Sequence, residues 1–326
     1  MIKIGILGYG NIGKGVEIAI HQNPDMELVA IFTRRNPKDL KTITETETIS
    51  ISEIEKWKDN IDVLILCGGS ATDLPEQGPQ YAKMFNTIDS FDTHAKVFEY
   101  YNKMDKSARR GQKLSIISVG WDPGLFSINR LYSEAILPNG TTYTFWGKGV
   151  SQGHSDAIRR IPGVKNAIQY TIPITTAMGK VRTGATPDFN IREKHIRECF
   201  VVVECDVDKK EIEEKIKTMP DYFENYDTIV HFISEEELSK NHNTMSHGGF
   251  VIRSGKTGIN QVTKQIVEYS LKLDSNPEFT SSILVAYARA VYKLHKMGEI
   301  GARTVLDIPP AMLTNRTQKE LLKTII

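Results

Sequence analysis

Cysteine is scarce in this chain, and the little there is makes no framework. Cys67, Cys199 and Cys205 are an odd count without a C-x-x-C pair, which excludes a disulfide scaffold and a thiolate metal cluster. They read as free thiols in a reducing compartment. A surplus of one charge is missing as well. The 41 Lys and Arg nearly cancel the 40 Asp and Glu, so no broad field exists to hold nucleic acid or an anionic membrane, and neither is expected as a partner. No stretch reaches the roughly eighteen uninterrupted apolar residues of a membrane span. The opening residues, MIKIGILGYG, enter a strand pattern without a charged leader region, and a cytoplasmic location is expected. No H-E-x-x-H helix and no G-x-S-x-G elbow occurs. His21, His94, His154, His195, His231, His242 and His295 show no ligand spacing, so no metal is expected.

What is present is a rhythm. In the first third, IKIGILG, MELVAIFT, IDVLILCGG, NTIDSF and KLSIISVG are almost continuously apolar. Between them NIGKGVEIAIHQN, LPEQGPQYAKMF and HAKVFEYYNKMDKSARRG carry apolar residues at helical spacing. Strands of that kind alternating with helices predict an α/β parallel sheet covered on both faces. The rhythm changes near GWDPG, residues 120–124. Beyond it TYTFWG, AIQYTIPITT and RECFVVVEC read as long amphipathic strands of a more open sheet with one wet face. KKEIEEKIKTM reads as a charged surface helix, TIVHFIS and GGFVIRSG as further strands. SSILVAYARAVYKLHKMG returns to helical periodicity with Gly298 as its stop. The length of 326 residues suits two cores. The expected organisation is residues 1–120 with about 277–326 as one domain, and about 121–276 as an inserted α+β region.

Gly8, Gly10 and Gly13 form G-x-G-x-x-G directly after a strand and at the start of a helix. The first glycine permits the tight turn, the second lets backbone approach a pyrophosphate, and the third lets helix and strand pack closely. Backbone N–H groups from about Asn11 and Ile12 then face the phosphates. That context predicts a Rossmann-type dinucleotide-binding domain. At the tip of the second strand, where a carboxylate would hold the ribose 2′-hydroxyl of NAD, stand Thr33, Arg34 and Arg35. Two guanidiniums beside a hydroxyl suit a 2′-phosphate instead, so NADP is the expected cofactor. In CGGSATD, after the third apolar strand, Gly68 and Gly69 let backbone approach the nicotinamide half, and Ser70 and Ala71 leave it room.

Two carboxylates lie at strand ends, Asp92 in IDSFDTH and Asp122 in SVGWDPG, with Trp121 and Trp146 as apolar walls. Each acid alone is as readily a helix cap; two beside one crevice suggest a site for an ammonium group. SQGHSDAIRRIPG, residues 151–163, reads either as a lid or binding loop or as a solvated helix start capped by Ser155. Arg197, at the mouth of a strand, is placed to fork onto a carboxylate. His247 precedes two glycines, a position that serves structure as readily as chemistry.

These segments together resemble the NADP-dependent meso-diaminopimelate D-dehydrogenase family. The matching stretches are GYGNIG, FTRR, GGSATDLPEQGP, TIDSFDTH, SVGWDPGLFSINR, TFWGKGVSQGHSDAIRRIPGVKNAIQYT, MPDYF, HGGFVIRSG and LKLDSNPEFT. They run from residue 8 to about 280, and the SQGHSDAIRRIPGV and GWDPG blocks are far more specific than the glycine turn. The resemblance implies NADP contacts at Gly8, Tyr9, Gly10, Asn11, Ile12 and Gly13, and at Thr33, Arg34 and Arg35. It implies others at Cys67, Gly68, Gly69 and Ser70, at Ser90 and Phe91, and at Val119, Gly120, Trp121, Asp122 and Pro123. Asp92 and Asp122 are implied as the catalytic acids that partner the amino group of the D-end, with Trp121 and Trp146 shaping it. Gln152, Gly153, Asp156, Thr171, Arg197, His247 and Asn276 are implied to hold the chain and the L-end of the substrate.

The activity so implied is reversible NADP-dependent oxidative deamination of the D-centre of meso-2,6-diaminopimelate, in lysine biosynthesis. The products are L-2-amino-6-oxopimelate (tetrahydrodipicolinate) and ammonia, and the resemblance also implies a homodimer formed through the inserted region. The proton acceptor stays open among Asp92, Asp122 and water. A dihydrodipicolinate or saccharopine-type reductase is disfavoured by the SQGHSDAIRRIPG block. A broader D-amino acid dehydrogenase of the same fold and a non-catalytic NADPH-binding sensor remain as alternatives.

Overall fold

The apolar runs bounded by glycine become the strands of a parallel sheet in the computed structural model, which describes all 326 residues. The chain divides into two compact units, Met1–Ile128 with Pro277–Ile326, and Asn129–Asn276. In chain order the first begins with β1 (Ile2–Leu7), α1 (Asn11–His21), β2 (Met26–Thr33), β3 (Thr48–Ser50) and β4 (Val63–Leu66). It continues through α2 (Leu74–Tyr81), β5 (Thr87–Asp89), α3 (Val97–Arg110) and β6 (Leu114–Ile116) to α4 (Leu125–Ile136). The GWDPG turn and the start of α4 therefore belong to the first unit, whose first segment extends past the expected limit at residue 120.

The second unit contributes β7 (Gly140–Trp146), β8 (Gly149–Val150), α5 (Gln152–Arg159), β9 (Val164–Pro173) and α6 (Thr175–Arg182). It goes on with β10 (His195–Val203), α7 (Lys209–Lys217), β11 (Asp227–Phe232), α8 (Glu235–Asn241), β12 (His247–Thr257) and β13 (Thr263–Leu273). The chain then returns to the first unit through α9 (Asn276–Lys296), β14 (Gly301–Arg303) and α10 (Gln318–Thr324).

All seven strands of the first unit run parallel, in the order β14-β6-β5-β4-β1-β2-β3. The winding direction reverses between β1 and β4, and a crevice opens beyond the carboxyl ends of strands at such a switch. Phe32, Leu64, Leu66, Phe85, Tyr100 and Met104 belong to the core on one face of the sheet. The α9 helix is bound to the opening βαβ: the Ser281 hydroxyl donates to the Ile12 carbonyl at 2.9 Å, and buried Arg289 forks onto Asp25 at 2.6 and 2.7 Å.

The second unit holds a four-stranded sheet, β11-β10-β9-β8, and a three-stranded one, β13-β12-β7. β10 is antiparallel to β9 but parallel to β11. Two readings change here, and one strand is added to them. The end of AIQYTIPITT does not stay extended: Pro173 closes β9 and Thr175 opens α6. TKQIVEYSLKL forms β13, exposed along most of its length, so it carries no inside–outside alternation by which to read it. SQGHSDAIRR is α5 with Ser151 at the cap position, and Ser155 lies inside the helix with its hydroxyl donating to the Ser151 carbonyl at 2.7 Å. No helix is long and apolar enough to cross a membrane.

Candidate functional site

β1 ends in Gly8, whose φ of +93° turns the chain back towards the sheet while its N–H donates to the Phe32 carbonyl at 2.9 Å. A Cβ on Gly13 would stand 2.3 Å from the Gly8 carbonyl oxygen, so only glycine lets α1 sit this close to the turn. Gly10 is the opposite case, with no atom within 4 Å of where a Cβ would be; its backbone is open to a ligand. Asn11 and Ile12 form the first turn of α1.

Across the crevice, Thr33 closes β2, and its hydroxyl accepts the Arg35 N–H at 3.1 Å. The Arg35 guanidinium donates to the Tyr9 carbonyl at 2.6 Å. Arg34 reaches Asp73 at 2.8 Å, and Asp73 also accepts the Gly69 N–H at 2.9 Å. The resulting cleft of about 400 Å³ gathers Gly8, Tyr9, Gly10, Thr33, Arg34, Arg35, Cys67, Gly68 and Gly69. Ile51, Asp73 and Gln77 also line it, and sequence reasoning gave none of them a role. The buried Gln77 Oε1 has no hydrogen-bond partner, an acceptor on the wall of the cleft. Open backbone at Gly10 and two guanidiniums at the strand tip fit the phosphates of a dinucleotide.

A buried carboxylate stands behind this wall. Glu17 on α1 is 1% exposed and accepts the Thr44 N–H at 2.8 Å, the Ile43 N–H at 3.1 Å and the hydroxyls of Thr44 and Tyr9. Burial favours the neutral acid, but the bonds from Thr44, Tyr9 and Ile43 outweigh it and hold the carboxyl below its ordinary value. Burial and Glu17 together push the Tyr9 hydroxyl up to about 12. Glu17 thus binds the loop after Arg35 to the glycine turn. Glu17→Ala leaves several buried donors unmatched and is expected to cost about 3 kcal/mol, measured as a lowered urea midpoint. Because its folded value is depressed, the Glu17 contribution is present above its ordinary pKa of 4.5 and is lost as pH falls below that.

The two acids leave adjacent strands. Asp92 follows β5 and is exposed, with its N–H bonded to the Ser70 hydroxyl at 2.9 Å; Ser90 is half-buried and Phe91 buried beside it. Asp122 follows β6, half-buried, in the turn that Gly120 and Gly124 close. Gly124 has φ +137°, and a Cβ there would fall 1.6 Å from the Gly120 carbonyl oxygen. Trp121 is buried with its ring edge-on to Phe126 at 5.2 Å, Val119 is buried, and the Asp122–Pro123 peptide is cis.

In the second unit, the register of β9 and β10 sets Thr171 directly opposite Arg197. Arg197 is 6% exposed; it donates to the Thr171 hydroxyl and lies 3.9 Å from the centre of the Tyr226 ring, while its Nε has no partner. Burial pulls this guanidinium below arginine's ordinary value, with Tyr226 partly offsetting it. The Trp146 N–H donates to His195 Nε2 at 2.8 Å and the two rings stack at 5.2 Å. Burial and the Arg197 charge push His195 and His154 each down to about 3, so both are neutral. Gly149 pairs with Thr171 on one side and packs against the His247 ring on the other. Thr171 and Arg197 on β9 and β10 of one sheet, and Trp146 and His247 on β7 and β12 of the other, are therefore brought near one another. Gln152, Gly153 and Asp156 lie on α5, and Asp156 is exposed and ion-paired to Arg159. Asn276 opens α9, with its N–H on the Met245 carbonyl at 2.9 Å. His195 and Tyr226 were not read as site residues, since a histidine in KHIREC and a tyrosine in ENYD carry no local signal.

A parallel sheet with a glycine turn and a basic strand tip makes the first unit a dinucleotide-binding domain of the kind nicotinamide-dependent oxidoreductases use. Residues 120–275 match the family model of the diaminopimelic acid dehydrogenase C-terminal domain, and residues 2–66 match that of the dihydrodipicolinate reductase N-terminus. The meso-diaminopimelate D-dehydrogenase of Ureibacillus thermosphaericus is 61% identical, over 100% of this chain and 99% of its own. The diaminopimelate dehydrogenase of Corynebacterium glutamicum, solved in complex with diaminopimelate, superposes with a TM-score of 0.93 at 43% identity, over 100% and 99% of the two chains. An engineered D-amino acid dehydrogenase bound to NADP+ superposes with a TM-score of 0.89 at 42% identity, over 100% and 99%. The chain belongs to the meso-diaminopimelate D-dehydrogenase family, and it is an amino acid dehydrogenase that uses a nicotinamide dinucleotide.

Proposed function

We propose that the chain catalyses the reversible, NADP-dependent oxidative deamination of the D-centre of meso-2,6-diaminopimelate, in lysine biosynthesis. The observation that carries the substrate class is Arg197, a buried guanidinium met by a hydroxyl and a tyrosine rather than by a carboxylate. An uncompensated buried cation costs several kcal/mol, about 3 or more, so a ligand carboxylate is its natural complement. Thr171, already bonded to it, and His247, packed against the Gly149 that pairs with Thr171, complete a polar setting for an amino acid end. Gln152, Gly153, Asp156 and Asn276 hold the rest of the L-end and the chain, with Asp156 shared between the ligand ammonium and Arg159.

Asp92 and Asp122 hold the amino group at the D-end, with Trp121 as the apolar wall beside Asp122. Held by the glycine turn and the Thr33–Arg35 tip, the dinucleotide would supply the acceptor for the hydrogen of the D-carbon and its electron pair. The ammonium first gives a proton to Asp92, Asp122 or water, and the acids then stabilise the iminium cation electrostatically. Water adds to that carbon, the C–N bond breaks, and ketone and ammonia leave. NADP rather than NAD rests on Thr33, Arg34 and Arg35 at the cleft. The free cysteines accord with the cytoplasm. The family reading carries a homodimer, for which exposed Leu131, Tyr132 and Ile136 on α4 and Ile259 and Val262 before β13 offer apolar surface. The test is stoichiometric: the meso substrate should yield equal amounts of NADPH, ammonium and 2-oxo acid. NADPH without ammonium would sink the reading.

A further inference from the structure

Asp89 is the last residue of β5 and is fully buried. Neutral donors answer its charge. One carboxylate oxygen accepts the N–H of Phe91 at 3.0 Å and that of Ser118 at 3.2 Å; the other accepts the Tyr100 hydroxyl at 2.8 Å. Its main-chain carbonyl accepts the Val119 N–H at 2.9 Å. Phe91 immediately precedes Asp92, and Ser118 and Val119 open the segment that leads to Trp121 and Asp122. Regular pairing between β5 and β6 stops at Ile88 and Ile116, so the Asp89 side chain takes over just where the ladder ends.

The surroundings hold the carboxylate in turn. The Tyr100 ring, on α3, stacks on Phe91 at 4.1 Å, so one residue braces both the carboxylate and the segment before Asp92. Ser118 takes a left-handed φ of +57° to aim its N–H, while its buried hydroxyl has no partner; its part here is played by the backbone. Burial raises the Asp89 carboxyl to about 6, partly offset by the bonds from Phe91, Tyr100 and Ser118. An apolar side chain here would leave the Phe91 and Ser118 N–H groups without an acceptor, so the carboxylate is what joins the two segments.

We propose that Asp89 is a positioning residue that ties the segment carrying Asp92 to the segment carrying Asp122, holding the two acids at a fixed separation around the substrate amino group. The inference rests on the roles given above to Asp92 and Asp122. A misplacement of about 1 Å costs about a hundredfold in rate, which sets the size of the effect.

Three variants test it, each assayed for kcat with the meso substrate and for NADPH affinity by fluorescence. Asparagine can keep both amide bonds through its carbonyl oxygen and donate to a Tyr100 hydroxyl turned into an acceptor. Asp89→Asn is therefore expected within about fivefold of wild-type kcat, whereas Asp89→Ala should lose about a hundredfold in kcat while still binding NADPH. Asp89→Glu keeps the charge but displaces the carboxylate by one methylene, and should fall with alanine rather than asparagine. If Asp89→Ala does not bind NADPH, the comparison of Asn with Glu decides. Full kcat in Asp89→Ala or Asp89→Glu, or an Asn variant as impaired as alanine while still binding NADPH, overturns the proposal with an active wild type in hand. A wild-type protein that turns over no D-amino acid removes the functional reading, and this inference with it.

Discussion

Alanine at both Arg34 and Arg35 is expected to raise KM for NADP by about a hundredfold or more and KM for NAD by much less. Each charge-assisted bond to a phosphate is worth about 1.5–3 kcal/mol, and two are removed. The single variants should differ. Arg35 also holds the Tyr9 carbonyl at 2.6 Å, so its loss loosens the glycine turn and weakens both dinucleotides. Arg34 pairs with Asp73 at 2.8 Å on the wall of the same cleft. Its removal leaves that carboxylate facing the ligand phosphates, a repulsion that Asp73→Asn should relieve in the Arg34→Ala background. Initial rates against each dinucleotide check all four cases. An unchanged NADP-to-NAD preference in the double variant would place cofactor choice elsewhere.

Arg197→Leu carries the second large effect. Removing one partner of a buried, hydrogen-bonded charge pair costs about 2–5 kcal/mol, so kcat/KM for the meso substrate should fall by about thirtyfold to several thousandfold. Simple D-amino acids, which have no distal carboxylate, should be turned over at rates within a few-fold of the parent. Arg197→Lys is expected to behave much like leucine, because an ammonium offers no fork to a carboxylate and does not lie over the Tyr226 ring in the same way. Stability should not drop in the leucine variant, since an uncompensated buried cation has been removed. Parallel losses on both substrate types would mean that Arg197 serves the fold rather than the distal end.

The parts of this molecule that were legible are those whose chemistry is written in consecutive residues. The glycine turn, the Thr33–Arg35 tip and the long apolar strands each carry their own periodicity or spacing, and the parallel sheet follows from them. The rest depends on what tertiary structure brings together. Asp73 and Gln77 line the cofactor cleft because α2 follows β4, the strand paired with β1, while in sequence they are ordinary polar residues of a helix start. Glu17 sits in an amphipathic helix pattern and would pass for a solvated residue, yet it is buried under four donors. Asp89 lies three residues before Asp92 and cannot be told from it by type; only the fold makes one exposed and the other buried. β13 escaped because neither of its faces is covered. Thr175 was read into a strand because β-branched residues favour extended chain.

The most direct test of the account is initial NADPH formation with meso-, L,L- and D,D-diaminopimelate and D-alanine, run with NADP and NAD side by side. Rapid turnover is predicted for the meso isomer with NADP, exceeding NAD and D-alanine by about a hundredfold or more, with no oxidation of the L,L-isomer. Oxidation of the L,L-isomer, or D-alanine turned over as fast as the meso form, would contradict it.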